Sequence, residues 1–189
     1  MLSRLISCNL FSSCLLEFDL ADDLKTGDVV MRCTTPANAK MLSEIINCIV
    51  NEQEYTTMRV ISEDEERSYL ESLSEREAVF IAEAGGKIIG MQSIDSPYKW
   101  SDKMEHVGKM GTLELKDYRR QGLGKKMAEK TLSFAKLCTY EKIVTFVLAD
   151  NVSVLRFYKS LGFKRVGTWK KQAKLWGEYK DDILMEIFL

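Results

Sequence analysis

The sequence predicts a mixed α/β fold, a central sheet carrying helices, with elements in the order β-α-α-β-β-β-α-β-α-β-β. Three observations predict it. Short β-branched and apolar runs, such as 143–148, alternate along the chain with stretches whose apolar residues recur at helical period. Gly85-Gly86 separates two strand-like runs as a hairpin turn would. The composition, 46% hydrophobic and 29% charged over 189 residues, suits one domain with a proper core rather than a disordered or fibrous chain.

The elements follow in order. Residues 1–27 are read as an N-terminal extension outside the core fold, and 28–189 as the domain. In the extension, Ser3, Ser7, Asn9, Ser12 and Ser13 interrupt the apolar stretch, no A-x-A-like cleavage site follows, and the stretch is too short and polar to span a bilayer. Leu2, Leu5, Ile6, Leu10 and Leu15 line one face of a helix drawn through it, which suits a packing or dimer-contact segment; a start placed upstream of the working domain is the other reading. Val29–Thr34 is a strand, and Thr35-Pro36 opens a helix with an apolar stripe of Met41, Leu42, Ile45, Ile46 and Ile49. The acidic run Glu63–Glu71 is a second helix. Residues 78–82 and 87–94 form the hairpin around Gly85-Gly86, and 95–103 is a loop. Val107–Leu115 is a strand, 123–138 an amphipathic helix and 143–148 a buried strand. A helix capped by Asn151 and closed by Gly162 follows. Two terminal strands, 163–169 and 183–189, are joined by a polar, aromatic stretch containing Trp176, Gly177 and Tyr179.

The charge pattern excludes some functions. A net charge of −1 gives no bulk case for nucleic acid binding. Five scattered cysteines, no C-x-x-C and a single histidine, His106, argue against a zinc site or a disulfide scaffold and for a reducing, cytoplasmic setting.

Residues 112–138, TLELKDYRRQGLGKKMAEKTLSFAKLC, carry the chemistry. Arg119, Arg120, Lys125 and Lys126 crowd the start of the 123–138 helix, the end where the helix macrodipole already places positive charge. A bound anion resolves the conflict: Gly122 and Gly124 let the backbone approach it, free N–H groups point at it, and the cations neutralise it. A glycine turn feeding a helix with a solvated basic face is the plainer alternative. Neither the Walker nor the dinucleotide glycine pattern is present. A second stretch, 142–163, places Asn151 and Tyr158 two helical turns apart, on one face, a polar line for a long ligand; a simple cap and a half-buried core residue is the plainer reading there.

Together the two stretches resemble the GNAT acetyltransferase superfamily. Arg119, Gly122 and Gly124 match its acetyl-CoA loop R/Q-x-x-G-x-G/A, and Asn151, Tyr158, Gly162 and Phe163 match its N-x-x-x-x-x-x-Y-x-x-x-G-F helix. The resemblance covers about residues 29–189. It implies a mostly antiparallel central sheet flanked by helices, acetyl-CoA as co-substrate, no metal, and acetyl transfer to a primary amine of a small molecule or a protein N-terminus. It assigns the pyrophosphate to Arg120, Gln121, Gly122, Leu123, Gly124 and Lys125, with charge contacts from Arg119, Arg120, Lys125 or Lys126. Leu113, Glu114 and Leu115 would pair with the pantetheine arm, one of their N–H groups polarising the thioester carbonyl. Asn151 would touch the pantetheine or the next strand's end, and Tyr158 would protonate the leaving thiolate.

The general base is the weak point. Glu114 is the nearest carboxylate, where the family pattern usually has an apolar residue; Glu105, His106, a water chain, or Glu114 as a merely solvated side chain are the alternatives. The acceptor pocket is expected between residues 50–75 and 167–182. Glu52, Glu54, Glu63, Asp64, Glu65 and Glu66 suggest a cationic amine, unless they are only a solvated acidic face. A non-catalytic acyl-CoA-binding module is the alternative function. No nucleic acid or membrane partner is expected, and a homodimer is the expected assembly.

Overall fold

The structure, a computed structural model, describes residues 18–19, 29–52 and 54–189. Its elements are β1 (Phe18–Asp19), β2 (Val29–Cys33), α1 (Ala39–Asn51), α2 (Glu63–Glu71), β3 (Ala78–Ala84), β4 (Lys87–Asp95), β5 (Val107–Glu114), α3 (Leu123–Leu137), β6 (Lys142–Leu148), α4 (Val152–Ser160), β7 (Lys164–Leu175) and β8 (Glu178–Phe188). The helix face proposed for Leu2 to Leu15 lies outside the described residues. Of the extension, Phe18–Asp19 pair with β2 at the sheet edge, Phe18 opposite Met31.

The strands form one sheet in the order β1-β2-β3-β4-β5-β6-β8-β7. Every described pairing is antiparallel except β5 with β6. This is the mixed, mostly antiparallel α/β architecture that the resemblance implied. Neighbouring side chains alternate between the faces. Phe80 joins Met110, Leu123, Met127 and Phe134 under α3 and α4. Its neighbours Val79 and Ile81 join Leu42, Ile46 and Leu70 under α1 and α2. The α1 stripe of Leu42, Ile45, Ile46 and Ile49 is buried, each such side chain contributing about 1.5–3 kcal/mol.

Local chemistry explains the element ends. Pro36 opens a short 3-10 turn, Pro36–Asn38, so α1 begins three residues later than the proline suggests. The start of α2 is fixed by a reciprocal cap: Glu65 N–H donates to Ser62 Oγ at 3.2 Å, and Ser62 N–H donates to the Glu65 carboxylate at 2.8 Å. The largest departure from the sequence reading is at the C-terminus. The stretch expected to connect the last two strands is itself a hairpin, with Trp176-Gly177 at its tip, and register shifts break the pairing between Arg165 and Gly167 and between Trp169 and Ala173. Its outer half exposes side chains on both faces, so no hydrophobic alternation marks it.

Cys33 is disulfide-bonded; Cys48 and Cys138 are free. Among the described residues no helix is long and apolar enough to cross a membrane.

Candidate active site

The sheet opens where β5 meets β6. The two strands pair only through Val107–Lys109 and Lys142–Val144. Beyond that, β5 stays with β4 as far as Glu114, and β6 stays with β8 as far as Leu148. The result is a fork with an unpaired backbone edge. Leu115 N–H donates to Ile89 O on β4 at 3.0 Å. Strand alternation therefore turns Leu113 N–H toward β4 as well, and directs the N–H groups of Thr112 and Glu114 into the fork. Of the three residues expected to pair with a ligand arm, only Glu114 presents its amide there.

Tyr158 sits at the fork. Its hydroxyl lies 3.1 Å from Thr112 Oγ1 on β5 and faces the hydroxyl of Thr145 on β6, the residue just past the last paired position. The ring packs edge-on against Phe157 and Phe163 and is 2% exposed. Burial pushes its pKa up, against the opposing effect of the Thr112 and Thr145 hydroxyls, so the phenol keeps its proton at neutral pH. Behind it, Gln92 Nε2 donates to Thr112 Oγ1 at 2.8 Å. Gln92 is fully buried and its Oε1 has no partner. Gln92, Thr112 and Thr145 were missed by the sequence reading; the available signal was a polar residue interrupting an apolar strand run.

The glycine loop follows β5. Arg120 (φ 62°) and Gly122 (φ 91°) both hold left-handed backbone, and Gly122 caps α3 with no side-chain bond. For Arg120 that conformation is strained, as at many functional loops. Gly124 is needed for a different reason. A methyl built on it would collide with the Glu114 carboxylate and lie 3.2 Å from the Phe157 ring.

The cations of the loop do not all face one place. Arg119 forms ion pairs with Glu52 and, at 3.1 Å, Glu54, and its Nε donates to Glu114 O at 3.0 Å. Lys116 holds Glu54 at 2.8 Å. Arg119 thus ties the loop to the end of α1. Gln121 donates to Asp117 O, while Arg120 and Lys125 are exposed. Leu123 is buried in the core under α3, leaving its backbone rather than its side chain for a ligand. Asn151 Oδ1 accepts Val154 N–H at 3.2 Å, capping α4 at the open end of the fork.

The structure reorders the base candidates. Glu105 and His106 are exposed at the closed end of β5, about 20 Å from Thr112 at strand rise, so neither reaches the fork. Glu114 is half-buried, and burial raises its pKa to about 7, against the lowering effects of the Arg119 charge and the Gly124 N–H. Its acidity suits a base, but its carboxylate turns toward the first turn of α3.

The acidic face is also different from its sequence reading. Glu52 and Glu54 are paired as above, Glu63 with Arg67 and Glu65 with Arg59, each at 2.5 Å, and Glu66 is buried. A cavity of about 260 Å³ lies beside the end of α1, lined by Val50, Asn51, Thr56 and Met58 and by Lys174, Leu175 and Trp176 of the β7–β8 tip. A larger cavity, about 390 Å³, lies at the closed end of β5. Its charges are satisfied internally: Glu77 accepts from Ser74 N, Ser96 N and Lys99 Nζ, and Arg76 stacks on Tyr140.

Comparison with known proteins agrees with this geometry. Residues 45–163 match the model of the acetyltransferase (GNAT) family. The chain is 26% identical over 126 residues to mouse N-acetyltransferase family 8 member 3, covering 65% of this chain and 50% of that protein. It is 31% identical over 88 residues to N-acetylaspartate synthetase of Xenopus tropicalis, covering 47% and 31%. The chain spans half or less of the length of these curated relatives. Among solved structures, an acetyltransferase of the GNAT family from Streptococcus pneumoniae superposes with a TM-score of 0.79 at 21% identity, covering 85% of this chain and 99% of that one. The yncA protein of Salmonella typhimurium, solved with its cofactor acetyl-CoA, superposes at 0.76 and 20% identity, covering 85% and 94%.

Proposed function

Because this chain belongs to the acetyltransferase (GNAT) family, we propose that it transfers an acetyl group from acetyl-CoA to a primary amine, with Tyr158 as general acid. The carrying observation is the Tyr158 hydroxyl, 3.1 Å from Thr112 Oγ1 where β5 and β6 part. The fork's free N–H edge suits an extended pantetheine arm, and the Glu114 N–H suits the carbonyl oxygen that gains charge as the amine attacks. Tyr158, whose pKa burial holds above the ordinary phenol value, keeps its proton until it gives it to the departing thiolate. The backbone of residues 120–125, at the start of α3, suits the pyrophosphate. Water, rather than Glu114, is the path for the amine proton, since the Glu114 carboxylate points away along α3.

The acceptor follows from the cavity beside α1. Four of the six carboxylates expected to attract a cation, Glu52, Glu54, Glu63 and Glu65, are paired with Arg119, Lys116, Arg67 and Arg59, while Lys174 lines the cavity with Trp176 and Met58. An amine carrying an anionic group on an apolar or compact body fits this lining. The relative named N-acetylaspartate synthetase is named for acetylating an amine of that kind, which supports the reading.

The test is steady-state kinetics of the wild type and Tyr158→Phe with acetyl-CoA and a panel of carboxylate-bearing, neutral and polycationic amines. The expected result is a preference for carboxylate-bearing amines, a loss of about 100-fold in kcat for the variant, and acetyl-CoA affinity within about twofold of wild type, since the buried ring is retained and only one hydrogen-bonding group is lost. Unchanged kcat in the variant removes Tyr158 as acid. Acetyl-CoA binding without turnover of any amine leaves an acyl-CoA-binding module.

A further inference from the structure

Glu114 is a carboxylate at a position where the resembled family pattern has an apolar side chain, and the structure shows what it does there. From β5 it reaches the α3 face, and its carboxylate lies against the backbone of Gly124, in the first turn of α3, where a Cβ would collide with its Oε1. Each neighbouring element presents a known group. The loop before α3 brings the Arg119 guanidinium, whose Nε holds Glu114's own carbonyl. The first turn of α3 brings the Gly124 amide, α4 the Phe157 ring, and β4 its register partner Gly90, which carries no side chain. Among the described residues Glu114 therefore faces one opposing charge, that of Arg119, which is shared with Glu52 and Glu54.

The first-turn amides of α3 are the groups that the proposed function gives to the pyrophosphate, and the inference rests on that reading. An anion seated on these amides meets the Glu114 carboxylate packed against Gly124, and two negative groups at one helix start repel. We propose that Glu114 is a built-in competing anion at the start of α3, which must take up a proton before acetyl-CoA binds fully. Burial helps the uptake, since it holds the carboxyl's pKa at about 7. The protonated carboxyl is then able to donate to a phosphate oxygen instead of repelling it. Cofactor affinity in this chain is thereby coupled to pH near neutrality, through a residue outside the family motif.

Calorimetric titration of acetyl-CoA into wild type and Glu114→Gln, between pH 6 and 8 and in two buffers of different ionisation enthalpy, tests it. The wild type is expected to bind about tenfold more weakly at pH 8 than at pH 6, by proton linkage through a group titrating near 7, and to take up close to one proton at pH 8. The variant is expected to bind at every pH about as tightly as the wild type at pH 6, without that uptake. It also corrects for the titration of the CoA phosphate itself, which both proteins share. An equal pH response in the two proteins, or weaker binding by the variant throughout, overturns the proposal and leaves the transferase reading standing. No binding by either protein at any pH overturns both.

Discussion

At the scale of single residues, Gly124 and Glu114 form one unit. The spacing of Gly122 and Gly124 was legible either as a plain glycine turn or as a place where backbone approaches an exogenous anion closely. In the structure the near partner is the Glu114 carboxylate. The identity of that partner was not readable, because Gly124 and Glu114 meet through the packing of α3 on β5. The ion pair of Arg119 with Glu52 was hidden for the same reason, the two residues standing 67 positions apart. The contact makes a prediction. Gly124→Ala places a methyl against the carboxylate and 3.2 Å from Phe157, and is expected to cost about 1–2 kcal/mol, at the scale of overpacking. In Glu114→Ala the carboxylate is gone, so the same methyl is expected to cost less, leaving a coupling of at least about 0.5 kcal/mol in a urea-denaturation double-mutant cycle. Additive effects would mean that the two residues do not meet.

At the scale of elements, the fork and the terminal hairpin decide the site. The strands themselves were legible from their β-branched and apolar runs. Their pairing was not: that β5 and β6 part after Lys109 and Val144 is a property of register, set by β4 and β8 on either side. The hairpin was underread because its outer half has polar side chains on both faces and so lacks the period-2 pattern. That outer half matters, since it brings Lys174 and Trp176 to the cavity beside α1. Lys174 also lies 5.3 Å from the Tyr179 ring centroid, across the hairpin. Reversing its charge tests the element's role in acceptor choice. Lys174→Glu is expected to lower kcat/KM for carboxylate-bearing amines by about tenfold or more, one charge contact being worth about 1–3 kcal/mol, and to leave neutral amines within about twofold. A uniform loss across the panel would make the hairpin a structural support, with no part in selectivity.

At the scale of the whole molecule, stability and pH are linked through groups of opposite behaviour. Glu54, Glu77 and Asp181 are held below the ordinary carboxylate range: Glu54 first by its Lys116 hydrogen bond, Glu77 by backbone N–H groups of Ser74 and Ser96 against a larger burial effect, and Asp181 first by Lys170. Their stabilisation is complete above the unfolded carboxylate value and is lost only in acid. Glu114 works the other way, as do Glu66 and Asp95, all raised chiefly by burial. With Glu114 at about 7 against the ordinary 4.5, the folded chain keeps a proton that the unfolded chain has lost in that interval. Its contribution is therefore full below about 4.5 and falls as pH rises through 7. After allowance for its partial exposure, about 1–2 kcal/mol is at stake, a change of about 2–8 °C in Tm. Thermal melts of the ligand-free protein are expected to show Tm declining from pH 5 to pH 8, and Glu114→Gln is expected to flatten that decline. The same proton governs cofactor entry in the proposal above, so the melt and the calorimetric titration must report transitions near the same pH. A wild-type Tm that rises over this interval, or a decline that survives the substitution undiminished, would place the proton elsewhere and separate the two effects.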